Sequence, residues 1–155
     1  MVNTLNHYWK HVAENMIFFE NGSLAWELRK FPVISDGTGE LGVVELAKEF
    51  DFNVKRVFFL RNVECGEERG FHSHKELRQL IFCLTGSFVI KLDNGKEVEE
   101  ILMKANETSL FLDGRVWREM HSFTENTVMM VLCDREYRFD EVIRNYDKFK
   151  QNIRV

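Results

Sequence analysis

The sequence predicts an all-β jelly roll with a short helix at each end, and three observations lead there. Between Leu24 and Cys133 the apolar residues fall into short runs of strand length, not into helical stripes. Turn signals separate those runs: Asp36-Gly37-Thr38-Gly39, Asp93-Asn94-Gly95 and Asp113-Gly114. Helical spacing occurs only outside that stretch, at Leu5, Tyr8, Trp9, Val12 and Met16 before it and at Phe139, Val142, Ile143, Tyr146 and Phe149 after it. Many short strands with regular turns are the pattern of a β-sandwich or barrel.

In chain order, residues 5–16 read as an amphipathic helix that packs on the body or on a partner subunit. Strands are expected over residues 24–31, 41–47, 54–62, 79–84, 87–92, 97–103, 109–112, 117–122 and 128–134. Asn94-Gly95 marks a hairpin, and a type I′ turn there needs positive φ at both central residues. Residues 139–150 read as a closing helix. The division expected is an N-terminal helical extension over 1–25 and one jelly-roll domain over 26–155.

Bulk properties narrow the function. At 155 residues the chain is long enough for one well-buried core. A formal net charge of −4 gives no electrostatic case for nucleic acid or an anionic membrane. No apolar run approaches the ~20 residues of a membrane helix, and Tyr8-Trp9-Lys10-His11 interrupts any signal-peptide core. Cys65, Cys83 and Cys133 are odd in number, without a CxxC pair. Cys83 and Cys133 lie in apolar runs, so buried thiols in a reducing cytoplasm are expected.

The chemistry concentrates at Gly66-Glu67-Glu68-Arg69-Gly70-Phe71-His72-Ser73-His74, followed by Gln79 and Gly86. This spacing, G-x5-H-x-H-x4-Q-x6-G, resembles the first motif of the cupin superfamily. On a strand, His72 and His74 project from the same face. Metal-binding cupins usually carry Glu where this chain has Gln79, and a neutral amide is a poor partner for a hard cation. In the second motif the stretch is Leu112-Asp113-Gly114-Arg115-Val116-Trp117, with Leu112 and Trp117 at the usual Pro and His positions. Two histidines are left where a catalytic metal site needs three ligands, so a metal-free pocket is expected. Imidazoles released from a metal suit acid–base work near neutral pH.

Single histidines on strands are more often packed or solvent-facing than catalytic, and it is the pairing with neighbouring Arg69 and Lys75 that argues otherwise. His121 is either a third pocket residue or a rim residue; His7 and His11 read as solvated. Basic residues around the motif in an acidic chain suggest an anionic ligand, for which arginine is the usual partner. Arg69 and Arg118 are candidate contacts, whereas Arg78 and Arg115 fit a charged face shared with neighbouring glutamates. Trp117 is either core or the floor of a sugar pocket.

The stretch Arg69-Gly70-Phe71-His72-Ser73-His74-Lys75 closely resembles the RGxHAHK signature of the sugar nucleotide 3,4-ketoisomerases. Lys55-Arg56-Val57-Phe58-Phe59, Val116-Trp117-Arg118-Glu119-Met120-His121 and the 139–149 segment are similar to further stretches of that family, covering roughly residues 26 to 150. The resemblance implies a cytoplasmic, metal-independent and cofactor-free jelly-roll homodimer that exchanges strands. It implies conversion of dTDP-4-keto-6-deoxy-D-glucose into a 3-keto nucleotide sugar for 3-amino sugars of surface glycans such as O-antigen. It implies His72 and His74 as catalytic residues, His72 being the expected base. Arg69, Lys75, Gln79, Trp117, Arg118 and His121 are the expected substrate or nucleotide contacts. The chain departs from the family at Phe58 or Phe59, where tyrosine is common, and at Thr38, a variable position. Arg118 in place of His points to a gluco product. Three other readings compete: a metal-dependent cupin enzyme, a silent nucleotide-sugar-binding module, and a 3,5-epimerase.

Overall fold

The structure, a computed structural model, describes residues 13–46, 51, 53–105 and 108–153. Its strands are β1 (Ala13–Phe18), β2 (Leu24–Lys30), β3 (Val33–Ser35), β4 (Glu40–Gly42), β5 (Arg56–Arg61), β6 (Arg69–His74), β7 (Arg78–Thr85), β8 (Ser87–Asp93), β9 (Val98–Lys104), β10 (Thr108–Asp113), β11 (Trp117–His121), β12 (Val128–Cys133) and β13 (Val142–Ile143), followed by helix α1 (Tyr146–Ile153). Two antiparallel sheets face each other, one ordered β1-β2-β10-β7-β12-β5 and the other β13-β6-β11-β8-β9. A separate β3–β4 hairpin makes a third, small sheet.

Alternation along the strands builds the core between the sheets. Phe88, Ile90 and Leu92 of β8 face inward against Met129, Val131 and Cys133 of β12, with Trp26 fully buried among them. A second apolar layer lies on the outer face of the larger sheet. There Leu80, Phe82 and Phe111 are covered by Phe31, Val44 and Leu46 from the segment carrying β3 and β4. Strand β7 is covered on both faces from Gln79 to Cys83, which explains its apolar run Leu80–Cys83 and why strict alternation fails there.

The jelly roll and a C-terminal helix are as expected; several element assignments are not. The N-terminal helix expected over residues 5–16 lies largely outside the described residues, and from Ala13 the chain is strand. Pairing with β2 (Met16↔Glu27, Ile17↔Trp26) places residues 13–18 at the sheet edge, so Met16 belongs to a strand. The strand expected over 41–47 ends at Gly42. The closing helix begins only at Tyr146, because Phe139–Glu141 forms a single 3-10 turn and Val142–Ile143 pairs with the end of β6. The apolar spacing there serves two separate elements. The Asn94-Gly95 hairpin exists, but positive φ occurs at Gly95 (92°) and not at Asn94. Asn94 Oδ1 instead accepts from the backbone N–H groups of Lys96 and Glu97, making a wider Asx-type turn. Cys83 and Cys133 are buried free thiols, and Cys65 is exposed.

Candidate active site

His72 and His74 alternate on β6 and share a face. Their rings stand 4.9 Å apart between centroids and nearly perpendicular, at 89°. The strand reaches this geometry through a bulge. Gly70 has φ 95° and Phe71 has φ 55°, and the register with β11 slips between Arg118↔His72 and Glu119↔Gly70. Positive φ at a bulky residue such as Phe71 is backbone strain held by its surroundings, a state that clusters at functional sites. Gly70 is required twice over, by its φ and because a Cβ would sit 2.7 Å from the Arg118 carbonyl oxygen. Gly114 has a similar role at the strand's other end: its carbonyl accepts from the His74 backbone N–H, and a Cβ on it would meet the Leu77 carbonyl at 2.2 Å. Glu141 fixes the following turn by accepting from the N–H groups of Glu76 and Leu77.

Arg118, only 2% exposed, projects between the sheets beside this pair. Its Nη1 donates to Gln79 Oε1 at 3.1 Å, and its Nη2 donates to the carbonyls of Asp113 and Gly114. Every acceptor is neutral, and Nε has none. Gln79 Nε2 in turn faces Cys133 Sγ at 3.7 Å, which also accepts from Arg56 Nη2 at 3.5 Å. Arg56 is flanked by the rings of Phe58 and Tyr137, 5.6 and 5.4 Å from its guanidinium carbon.

Electrostatics follow from this arrangement. Burial, then the Arg118 charge, holds His72 down at about 4, with a weak contact from the Gly70 carbonyl acting the other way. The same two causes, joined by His72, Arg56 and Arg144, push His74 down to about 2. Burial lowers Arg118 itself to about 9. Both imidazoles are therefore neutral at pH 7, and Nδ1 of His72 is buried without a hydrogen-bond partner. A neutral ring with an unengaged nitrogen can take up a proton from a substrate carbon. Among the described residues no group of three His, Cys, Asp or Glu side chains is placed to hold a metal ion. Gln79, at the usual carboxylate position, already faces a guanidinium cation.

The structure thus brings together His72, His74, Gln79 and Arg118. It puts the other expected residues elsewhere. On β11, Trp117 and His121 alternate with Arg118 and so face away from it. The Trp117 ring packs on Tyr146 and Phe149 under α1, 5.2 and 5.5 Å away, and Nε1 bonds Glu119. His121 contacts Glu100 and Ser122. Arg69 is exposed, against Glu67 and the Glu68 carbonyl. Lys75 lies with Ser73 and His74 along a cavity of about 740 Å³ that α1, the β8–β9 turn and the β1–β2 turn complete. Sequence reasoning missed Arg56, Arg144 and Cys133. Arg56 carried one signal, an inward position within the matched stretch Lys55–Phe59, but nothing local marks Cys133 as polar-facing.

A jelly roll whose β6 presents two histidines side by side on one face has the architecture of the cupin class. Comparison with known proteins narrows this class. Residues 25–154 match the family model described as FdtA, WxcM-like, C-terminal. A TDP-4-oxo-6-deoxy-alpha-D-glucose-3,4-oxoisomerase of Aneurinibacillus thermoaerophilus is 40% identical over 123 residues, covering 79% of this chain and 88% of the relative. The 3,4-ketoisomerase QdtA of Thermoanaerobacterium thermosaccharolyticum superposes with TM-score 0.79 at 36% identity, covering 83% of this chain and 94% of that one. That protein was solved as a histidine-to-asparagine mutant in complex with TDP-4-keto-6-deoxyglucose. A 3,4-ketoisomerase of Helicobacter canadensis gives TM-score 0.79 at 31% identity over 84% of this chain and 98% of that one. The chain belongs to the FdtA-like sugar 3,4-ketoisomerase family and is an isomerase.

Proposed function

We propose that this isomerase moves the ketone of dTDP-4-keto-6-deoxy-D-glucose from C4 to C3, giving a dTDP-3-keto-6-deoxyhexose for 3-amino sugar synthesis. The observation that carries the reading is the pair of neutral, touching imidazoles beside a buried guanidinium. His72 takes the C3 proton, which the C4 ketone acidifies, and the electron pair moves onto the C4 oxygen. Arg118 faces the enediolate charge in a low-dielectric pocket, where a fixed donor is worth more than in water. C4 is then protonated from the imidazole pair while the C3 hydroxyl loses its proton, leaving a carbonyl at C3. The net change is one hydrogen from C3 to C4 and one from O3 to O4, with no external reductant. An anionic nucleotide sugar also offsets the arginine fields, raising the histidines toward useful basicity. Exposed Arg69 and Lys75 are assigned to the diphosphate, and Arg118 supports a gluco product.

Proton NMR of that nucleotide sugar with enzyme in deuterated water tests the reaction. The ketone should move to C3, with deuterium at C4 where the imidazole proton exchanges with solvent; label at C5 would mean epimerisation, and an unlabelled, unconverted nucleotide sugar would mean binding alone. His72→Asn should abolish labelling while nucleotide affinity persists, and full turnover in that variant refutes its role.

The acting form is proposed as a cytoplasmic homodimer. Val57 and Phe59 are 46% and 59% exposed on edge strand β5, next to half-buried Met130 and Leu132 of β12. Such an apolar sheet face suits a second copy of the chain. Sedimentation of Phe59→Asp should give a monomer, and an unchanged dimer would exclude this face.

A further inference from the structure

We infer that Cys133 is a positioning residue for the isomerase reaction: its sulfur orients the Gln79 amide and thereby fixes Arg118 against the imidazole pair. The inference rests on the proposed role of Arg118. It starts from hydrogen-bond inventory. Arg118 has only donors, so the Gln79 atom facing its Nη1 at 3.1 Å must be the carbonyl oxygen. The amide NH2 is then forced toward Cys133 Sγ, 3.7 Å away on the paired strand (Cys133↔Gln79). Arg56 Nη2 donates to the same sulfur at 3.5 Å. Cys133 is 0% exposed and Gln79 6%, so no solvent competes for these groups.

The sulfur is therefore a shared acceptor between two donors, and it holds the amide NH2 while Arg118 holds the carbonyl oxygen. Remove it, and the NH2 of Gln79 is buried without an acceptor, a state that costs more than the bond itself contributes. With its NH2 unheld, the amide loses its second fixed point, and its carbonyl oxygen is placed less firmly against Arg118. The side-chain anchor of Arg118 is loosened, while the two backbone carbonyls remain. Nε of Arg118 is itself buried without a partner, so the anchor on Nη1 is its one side-chain hydrogen bond among the described residues.

Three substitutions test the idea. Cys133→Val removes the acceptor while adding one branched methyl group, and Cys133→Ala removes it without added bulk. Either should lower kcat about 10- to 100-fold, the size expected for one unsatisfied buried group, with KM changed less than about 3-fold. Cys133→Ser restores an acceptor and should recover most of kcat. In the free proteins, imidazole NMR should show His72 titrating nearer 6.5 in Cys133→Val, because the Arg118 charge has moved. That readout needs no turnover, so it separates failure of this inference from failure of the assigned reaction. Should circular dichroism show Cys133→Val unfolded, Cys133→Ala gives the same comparison. Wild-type kcat with unshifted imidazoles in the folded Val or Ala variant overturns the inference. A Ser variant as slow as Val overturns it too, since packing alone would then explain the loss.

Discussion

Lowering the pH from 7 to 5 perturbs His72 and His74 selectively in the unfolded state. In the native protein they titrate at about 4 and about 2, against 6.5 for an ordinary imidazole. The native forms therefore stay neutral across this interval while the unfolded chain takes up protons. The unfolded state binds more protons, so stability rises with pH between the folded and unfolded values and is lost as pH falls below 6.5. At pH 5 an unfolded imidazole has gained about 2 kcal/mol relative to its neutral form, less about 0.2 kcal/mol already gained at pH 7. Two such groups give a loss of about 3.5 kcal/mol, a large part of the 5–15 kcal/mol typical of a domain. Urea titrations at pH 7, 6 and 5 measure it, comparing wild type with His72→Asn/His74→Asn. Carboxylates titrate alike in both proteins and cancel in the difference. The wild-type midpoint should fall by about 1–3 M more than that of the double variant, taking a urea slope of 1–3 kcal/mol per M. Parallel midpoints in the two proteins would refute the claim that burial and Arg118 hold these rings neutral.

The same depression governs activity. The acid limb of kcat/KM should bend near pH 4, where free His72 gains its proton, and a bend at 6.5 in the pH–rate profile would show an unperturbed base. Arg118→Met removes the second cause of the shift, so the bend should move upward while turnover falls by about 10²-fold or more, the scale of one lost oxyanion donor. Gly70→Ala places a Cβ at a φ of 95° and 2.7 Å from the Arg118 carbonyl. It should cost about 2–3 kcal/mol and lower Tm by about 5–10 °C by calorimetry, whereas Gly22→Ala, with φ 80° and open space around it, should cost less.

Reading the residues in order recovers most strands between Arg56 and Cys133 and the histidine pair, because both depend on local period. His72-Ser73-His74 needs only the two-residue repeat of a strand to share a face, and Asn94-Gly95 needs only its own turn chemistry. The closing helix was misplaced by seven residues because Val142 and Ile143 satisfy helical spacing and strand pairing equally. Their choice was made by the β6 edge. Trp117 and Arg118 are adjacent in sequence but face opposite sides of β11, so a motif containing both did not show which one enters the barrel.

Sequence alone determined the jelly roll, the two imidazoles and the amide that replaces a metal-ligating carboxylate. Each is a matter of residue type at short spacing. Tertiary structure decided what those groups meet: Gln79 bonds Arg118 across 39 residues and Cys133 across 54. No local pattern encodes such contacts, because they arise from strand register between segments far apart in the chain. The depressed basicity of the histidines is likewise a property of burial and of a charge on a neighbouring strand, so it exists only once the sheets have closed.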